Sequence, residues 1–279
     1  MCKYYNPKTN VINWDEVMKI PEIAILETTP QHSWWHEEGN ALNHTKMVVE
    51  KMIEEISTRQ GFFKDPYYRK ILVYSALFHD IGKPKTTILG EDGYYHCPEH
   101  AMEGSYMLPE IFVKYFEELD IYQMDAIAAL VKNHMRPIYA MKSENPEKEI
   151  LKLANSLWGI DFDALLLLKY CDDQGSIHPE SGYNVLLQQA SDIFYDKVSY
   201  KKGTYVLIEK ISTINEAHKE SGHPNGINDG YIDSGRLLMP VTLGWGTILS
   251  KDFHTSVVTK IIDKNHFQTK NSVYKITEL

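Results

Sequence analysis

A histidine and an aspartate side by side at the end of an apolar helix, His79-Asp80, constrain this chain more than any other feature. They run into Ile81-Gly82-Lys83. With His44 upstream and His100, His134 and Asp172 downstream they give the order H…HD…H…H…D. These are six metal-competent side chains spread over about half the chain, each at or near the end of a helix-like segment. A hydrophobic core has no use for so many inward-pointing imidazoles and carboxylates, whereas a divalent-metal site does. Any fold for this chain has to bring those helix ends together.

The helices can be read from periodicity. His44, Met47, Val48, Met52, Glu55 and Ile56 recur at spacings of three and four, which predicts a helix from His44 to about Gly61. Pro66 suits the first turn of the next helix, on which Tyr68, Leu72, Ser75 and His79 share a stripe before Gly82 and Pro84 end it. A turn-rich, hairpin-like piece with Gly90, Asp92-Gly93 and Tyr94-Tyr95 leads to Pro98-Glu99-His100, the first turn of another helix. A helix over Gln123–Met135 puts Ile127, Leu130, Val131 and His134 on one face, with Pro137 after it. Further helices are expected over Pro146–Trp158, over Phe162–Asp172 behind an Asp161 cap, over Tyr183–Val198 and over Thr204–Ser221. On the helix ending at Asp172, that residue shares a stripe with Leu165 and Leu168.

Composition changes after Ser221. Gly222, Pro224, Gly226, Gly230 and Gly235 read as a linker, and β-like runs follow at Leu237–Leu243, Thr255–Ile262 and Ser272–Ile276. The expected organisation is therefore a mainly α chain: an all-α metal-binding domain at 1–221, a linker at 222–236 and a small β-rich module at 237–279. A module of that size has a marginal core of its own.

Bulk properties narrow the class. Apolar content of 43% and charge of 24% are those of a globular protein. No run approaches the roughly 18 uninterrupted apolar residues of a membrane span, and the first residues lack the apolar stretch of a secretory signal. Cys2, Cys97 and Cys171 are too few and scattered for a disulfide framework or a cysteine zinc site, so a reducing cytoplasm is expected. A net charge of −9 argues against a protein that coats nucleic acid. Residues 201–279 carry ten Lys/Arg against eight Asp/Glu, or +2, which leaves −11 on the first 200.

Imidazole nitrogen and carboxylate oxygen suit Mn, Mg, Fe, Co, Ni or Zn, and the absence of thiolates disfavours a structural zinc site. Adjacent helical residues point about 100° apart. At a helix end that restriction relaxes, so His79 and Asp80 can reach one ion while the short Asp80 bridges to a second. Such a bridge is a recurrent device for activating water against phosphorus.

The set His44…His79-Asp80-Ile81-Gly82-Lys83…His100…His134…Asp172 resembles the HD superfamily of metal-dependent phosphohydrolases. Locally it is most similar to the HD domain of bacterial CCA-adding enzymes. That likeness is carried by His36-Glu37-Glu38-Gly39-Asn40-Ala41-Leu42-Asn43-His44-Thr45, Ala76-Leu77-Phe78-His79-Asp80-Ile81-Gly82-Lys83, His100-Ala101-Met102-Glu103-Gly104 and Cys171-Asp172-Asp173-Gln174-Gly175. It covers roughly residues 30–180. The nucleotidyltransferase head of those enzymes is missing, so CCA addition is not carried over. The doubled Asp172-Asp173 leaves two choices for the last ligand, and the offset to Gly175 favours Asp172.

The resemblance implies a helical HD bundle and one or two divalent ions. His44, His79, Asp80 and Asp172 would hold one metal, and Asp80 would bridge to a second; His100 and His134 would be the ligands of that second metal or phosphate contacts. Lys83 would sit near the substrate phosphate as a point charge. The implied reaction is attack by a metal-activated hydroxide, since the ions depress the pKa of water from ~15.7 towards roughly 7. The implied substrate is a phosphomonoester or phosphodiester of a nucleotide, or an RNA end guided by the C-terminal module. His36 and Glu37 line the substrate mouth or a surface loop, and His96 is a ligand, a substrate contact or a loop residue. Trp34-Trp35 stacks a nucleobase or packs in the fold. The same ligand order also resembles diiron HD oxygenases of the inositol-oxygenase type.

Overall fold

Capping side chains set where the main helices begin. Asn40 accepts a hydrogen bond from the Asn43 backbone N–H at 2.9 Å and opens helix α1, Ala41–Thr58. Asp65 accepts from Tyr67 N–H, and Pro66 occupies the first turn of α2, Pro66–Phe78. Helix α3 is His100–Tyr115. A reciprocal capping box between Asp120 and Gln123 opens α4, Ile121–Asn133. Then come α5 (Pro146–Ser156), α6 (Phe162–Gln174) and α7 (Tyr183–Asp196). The computed structural model describes residues 3–32, 37–59, 61–157, 160, 162–177, 179, 182–196, 198–200, 205–214, 229–230, 232–237, 241–242, 246–248, 254–263, 265–269 and 271–279.

The fold is mainly α, with a C-terminal sheet. Contacts divide the chain into two compact units, Met1–Glu149 with Phe162–Ala190, and Ile150–Asp161 with Ser191–Leu279. In the first unit α2 is the central helix: every residue from Ile71 to Phe78 is buried. A helix that is apolar all round has to be surrounded, and α1, α4 and α6 pack on it. Phe78 meets Phe112 and Phe116 from the end of α3 edge-on, at centroid separations of 5.7 and 5.3 Å. The end of α2, which carries His79, is thus anchored in a buried aromatic cluster.

Two glycines let helices approach more closely than any side chain allows. A Cβ on Gly82 would lie 2.1 Å from the His100 carbonyl oxygen and 2.5 Å from the Gly104 nitrogen. A Cβ on Gly175 would lie 2.8 Å from Val48 Cα of α1. The first contact presses the His79-Asp80 turn onto the start of α3, and the second presses the end of α6 onto α1.

In the second unit an antiparallel sheet is built from β1 (Tyr205–Thr213), β2 (Ile232–Arg236), β3 (Gly246–Ile248), β4 (His254–Asp263), β5 (His266–Thr269) and β6 (Ser272–Glu278), in the order β2-β1-β6-β5-β4-β3. Its core holds Val206, Ile208, Leu237, Val241, Val258, Phe267, Tyr274 and Ile276.

Several expectations are corrected here. The helix expected over Thr204–Ser221 is replaced, where described, by strand β1 at Tyr205–Thr213. Its buried residues, Val206, Ile208 and Lys210, alternate with period two as a strand requires. Pro137 does follow the end of α4 as expected, and it lies in the first turn of a further short helix, Arg136–Met141. The run read from Leu237 contributes only a two-residue strand, Val241–Thr242, among its described residues. The hairpin expected after Lys83 is present as Ile88–Leu89 paired with Tyr95–His96. No helix among the described residues is long and apolar enough to cross a membrane.

Candidate metal centre

Three of the four histidines occupy the same local position, the boundary of a helix. His79 is the C-cap of α2, His134 the C-cap of α4, and His100 the first residue of α3. Each bonds through Nδ1 to the carbonyl three residues back: His79 to Ala76 at 2.8 Å, His100 to Cys97 at 2.8 Å and His134 to Val131 at 2.7 Å. A carbonyl oxygen only accepts, so Nδ1 carries the proton and Nε2 is left with its lone pair. His44, one turn into α1, directs Nδ1 at Glu38 Oε1, 3.1 Å away. All four rings are thereby oriented by a second contact, as metal-binding histidines usually are.

The Nε2 side of these rings converges on two carboxylates. His44, His79 and Asp172 form one cluster and Asp80, His100 and His134 another, with ligand atoms within 4.8 Å of one another in each. His44 Nε2 lies 3.0 Å and His79 Nε2 3.5 Å from Asp172 Oδ1. Asp80 divides its oxygens between the clusters. Its Oδ2 lies 3.2 Å from His79 Nε2 and 3.8 Å from His44 Nε2, while Oδ1 lies 3.3 Å from His100 Nε2. His100 and His134 face each other at 3.2 Å between their Nε2 atoms. Of the six residues only His100 is not fully buried.

Two lysines complete the first layer around the carboxylates. Lys83 Nζ lies 2.6 Å from Asp80 Oδ2, and Lys169 Nζ lies 2.6 Å from Asp172 Oδ2. Both are buried. Burial alone would raise the two aspartates. His79 and Lys83 beside Asp80, and Lys169 together with the hydrogen bond from His44 at Asp172, overcome it and hold both well below the usual carboxylate range. Burial lowers His134 to about 3, with His100 beside it adding to the fall, and burial also lowers His100. At His44 burial is outweighed by hydrogen bonds to Asp172 and Glu38, which raise it to about 8.

This donor set fits divalent cations. With Nδ1 protonated, His79 Nε2 is a buried lone pair without a hydrogen-bond partner among the described residues, set against oxygens of two anions. His100 and His134 point two more lone pairs at each other. Lone pairs packed against lone pairs and carboxylates repel unless a cation lies among them. Nitrogen and oxygen donors in this ratio suit Mn, Fe, Co, Ni or Zn, and Mg to a lesser degree.

Other residues singled out from sequence lie elsewhere. His96 sits on the exposed hairpin with its Nε2 bonded to Asp92 at 2.9 Å, apart from both clusters. Glu37 is exposed, and His36, Trp34 and Trp35 fall outside the described residues. Asp173 is buried and its carboxylate accepts from Gln174, so Asp172 is the aspartate at the centre. Sequence reasoning passed over Glu38, Lys169 and Gln31. Lys169 had a signal, since it stands one helical turn before Asp172. Gln31 and Glu38 had none, because their contacts are made only by the fold.

Residues 42–157 match the family model of the HD domain. The match supports HD-superfamily membership for that stretch, which includes His44, His79, Asp80, His100 and His134 and ends before Asp172. No curated protein matches the chain.

Proposed function

We propose that this HD-domain chain is a metal-dependent phosphohydrolase acting on a phosphomonoester or phosphodiester of a nucleotide-like substrate. The observation that carries the reading is Asp80: one buried carboxylate shared between two imidazole clusters, the arrangement that holds a pair of dications. His44, His79 and Asp172 would hold one ion and His100 and His134 the other, with Asp80 between them. Ions bound there would polarise a phosphoryl oxygen and make water nucleophilic near neutral pH.

The protein's own charges favour an anionic substrate. Each liganding carboxylate is already balanced by a lysine, Asp80 by Lys83 and Asp172 by Lys169. The charge of bound dications is therefore left largely uncancelled. At an effective dielectric of about 20, two unit charges about 4 Å apart attract by about 4 kcal/mol, so a phosphate dianion gains several such contributions. Lys83 stands between Asp80 and Gln31, where its ammonium supplies a point charge to a phosphoryl oxygen. The imidazoles, fixed through Nδ1, need little reorganisation during the reaction.

The test is a chelated sample reloaded separately with Mn, Mg, Fe, Co, Ni and Zn, then assayed with aryl phosphates, bis-aryl phosphates and 2′,3′-cyclic nucleotides. Metal-dependent hydrolysis of one ester class supports the reading. Absence of hydrolysis with every metal, alongside oxygen uptake by the iron-loaded sample, would replace it with an oxygenase.

A further inference from the structure

Ahead of the residues that match the HD domain, one side chain reaches the centre from the N-terminal segment. Gln31 is 5% exposed, and its Oε1 accepts a hydrogen bond from Lys83 Nζ at 2.5 Å. The other partner of that ammonium is Asp80 Oδ2, so the carboxamide stands two contacts from the shared carboxylate. An ammonium only donates, which fixes the orientation of the amide: Oε1 toward Lys83, Nε2 turned away from it. Nε2 is buried and has no hydrogen-bond partner among the described residues. Buried donors are nearly always paired, and an exception at a functional centre asks for a ligand.

The backbone holds this amide in place. Thr29 O accepts from Ala41 N–H at 3.1 Å, and Pro30 pairs with Asn40, which ties the segment to the start of the helix bearing His44. On the other side His32 stacks on Tyr94 with ring centroids 4.3 Å apart and planes within 13°. Gln31 is thus clamped between α1 and the hairpin that follows Lys83.

We propose that Gln31 Nε2 is a substrate-binding donor: it takes a non-bridging oxygen of the phosphoryl group, beside Lys83, so that the two side chains form a neutral-plus-cationic anion pair. This rests on the phosphohydrolase reading and adds a specificity residue to it. The competing role, that Gln31 merely positions Lys83, makes different demands on chemistry. Positioning needs only an acceptor for Lys83, which Gln31→Glu keeps and Gln31→Met removes. Binding an anion needs the N–H, which both substitutions remove, and Gln31→Glu puts a negative charge in its place.

The experiment compares wild type, Gln31→Met and Gln31→Glu, all manganese-loaded, by manganese content, by calorimetric binding of inorganic phosphate and by KM for an aryl phosphate. Manganese content should stay at the wild-type level. Phosphate affinity should fall at least tenfold in both variants, Gln31→Glu being the weaker binder, with KM rising in parallel. Gln31→Glu matching wild type while Gln31→Met weakens would overturn the proposal in favour of positioning. Both matching wild type within twofold, or either losing manganese, would also overturn it. A wild type that neither binds phosphate nor hydrolyses esters removes the phosphohydrolase reading first and this proposal with it, whereas an active wild type with unaffected variants removes the Gln31 proposal alone.

Discussion

If the centre holds two ions as proposed, Gly82→Ala should cost the protein one of them. The backbone at Gly82 has φ −82°, open to any residue, so conformation does not demand glycine there. Space does. The new methyl would stand 2.1 Å from the His100 carbonyl oxygen and 2.5 Å from the Gly104 nitrogen, both backbone atoms of α3. Relief to an ordinary contact of 3.4 Å or more requires the His79-Asp80 turn and α3 to part by about 1 Å. His100 Nε2 and Asp80 Oδ1 are now 3.3 Å apart across that boundary. Coordination distances tolerate only about ±0.2 Å, so a displacement of this size separates His100 from Asp80. His44, His79 and Asp172 do not lie on α3 and keep their geometry. Overpacking of this kind costs about 1–3 kcal/mol. For a unit of this size that is about 2–12 °C in Tm. The assay is metal stoichiometry by elemental analysis after manganese loading, with thermal melts and ester hydrolysis on the same sample. The expected result is a folded protein with one manganese in place of two and hydrolysis lost. Two manganese ions and wild-type turnover would refute the claim that this close approach builds the second cluster.

Asp80→Ala, which removes the oxygens facing both clusters, should abolish hydrolysis and lower metal content; a variant that kept both would show the ligands to be misassigned. Lys169→Met takes the lysine partner from the buried Asp172 and leaves it only the imidazoles of His44 and His79, and loss of one partner of a buried charge pair costs up to about 3–5 kcal/mol. The melting temperature of the metal-free variant should fall accordingly, and manganese should restore part of it. Asp172 is held below its unfolded pKa against its burial, chiefly by Lys169. That contribution is therefore present above about pH 4 and is lost as acid protonates the carboxylate, so the gap between wild type and variant should close in acid. A gap that widens in acid would contradict the pairing. Phe267→Ala should destabilise the sheet by about 3–5 kcal/mol, because Phe267 is fully buried and stacks on Tyr274 at 5.3 Å. Metal content should be unchanged, and its loss would count against treating the helical residues as the metal-binding part.

The side-chain types of the candidate centre and the helix ends were legible in the sequence, because both are local. Periodicity put His79 on the inner stripe of its helix, and the 3.6-residue repeat that buries Leu72 and Ser75 buries His79 as well. What periodicity does not encode is contact between remote segments. Gln31 and Lys83 are 52 positions apart, and His44 and Asp172 are 128 apart. The glycine after His79-Asp80-Ile81 reads as a helix stop, yet its necessity comes from a carbonyl on α3 that only the folded chain presents. Strand β1 departs from the helical expectation for a different reason. Ile208 and Ile211 stand at helical spacing while Val206 and Ile208 alternate, and for a short apolar run the period alone does not arbitrate. Its partners in the sheet decide, pairing β1 with β2 on one side and β6 on the other.

The central claim is that distant imidazoles and two aspartates enclose a pair of divalent ions sharing Asp80. Anomalous diffraction from manganese-soaked crystals tests it most directly. Two peaks flanking Asp80 are expected, one bounded by His44, His79 and Asp172 and the other by His100 and His134. Manganese bound elsewhere, with neither position occupied, would contradict it.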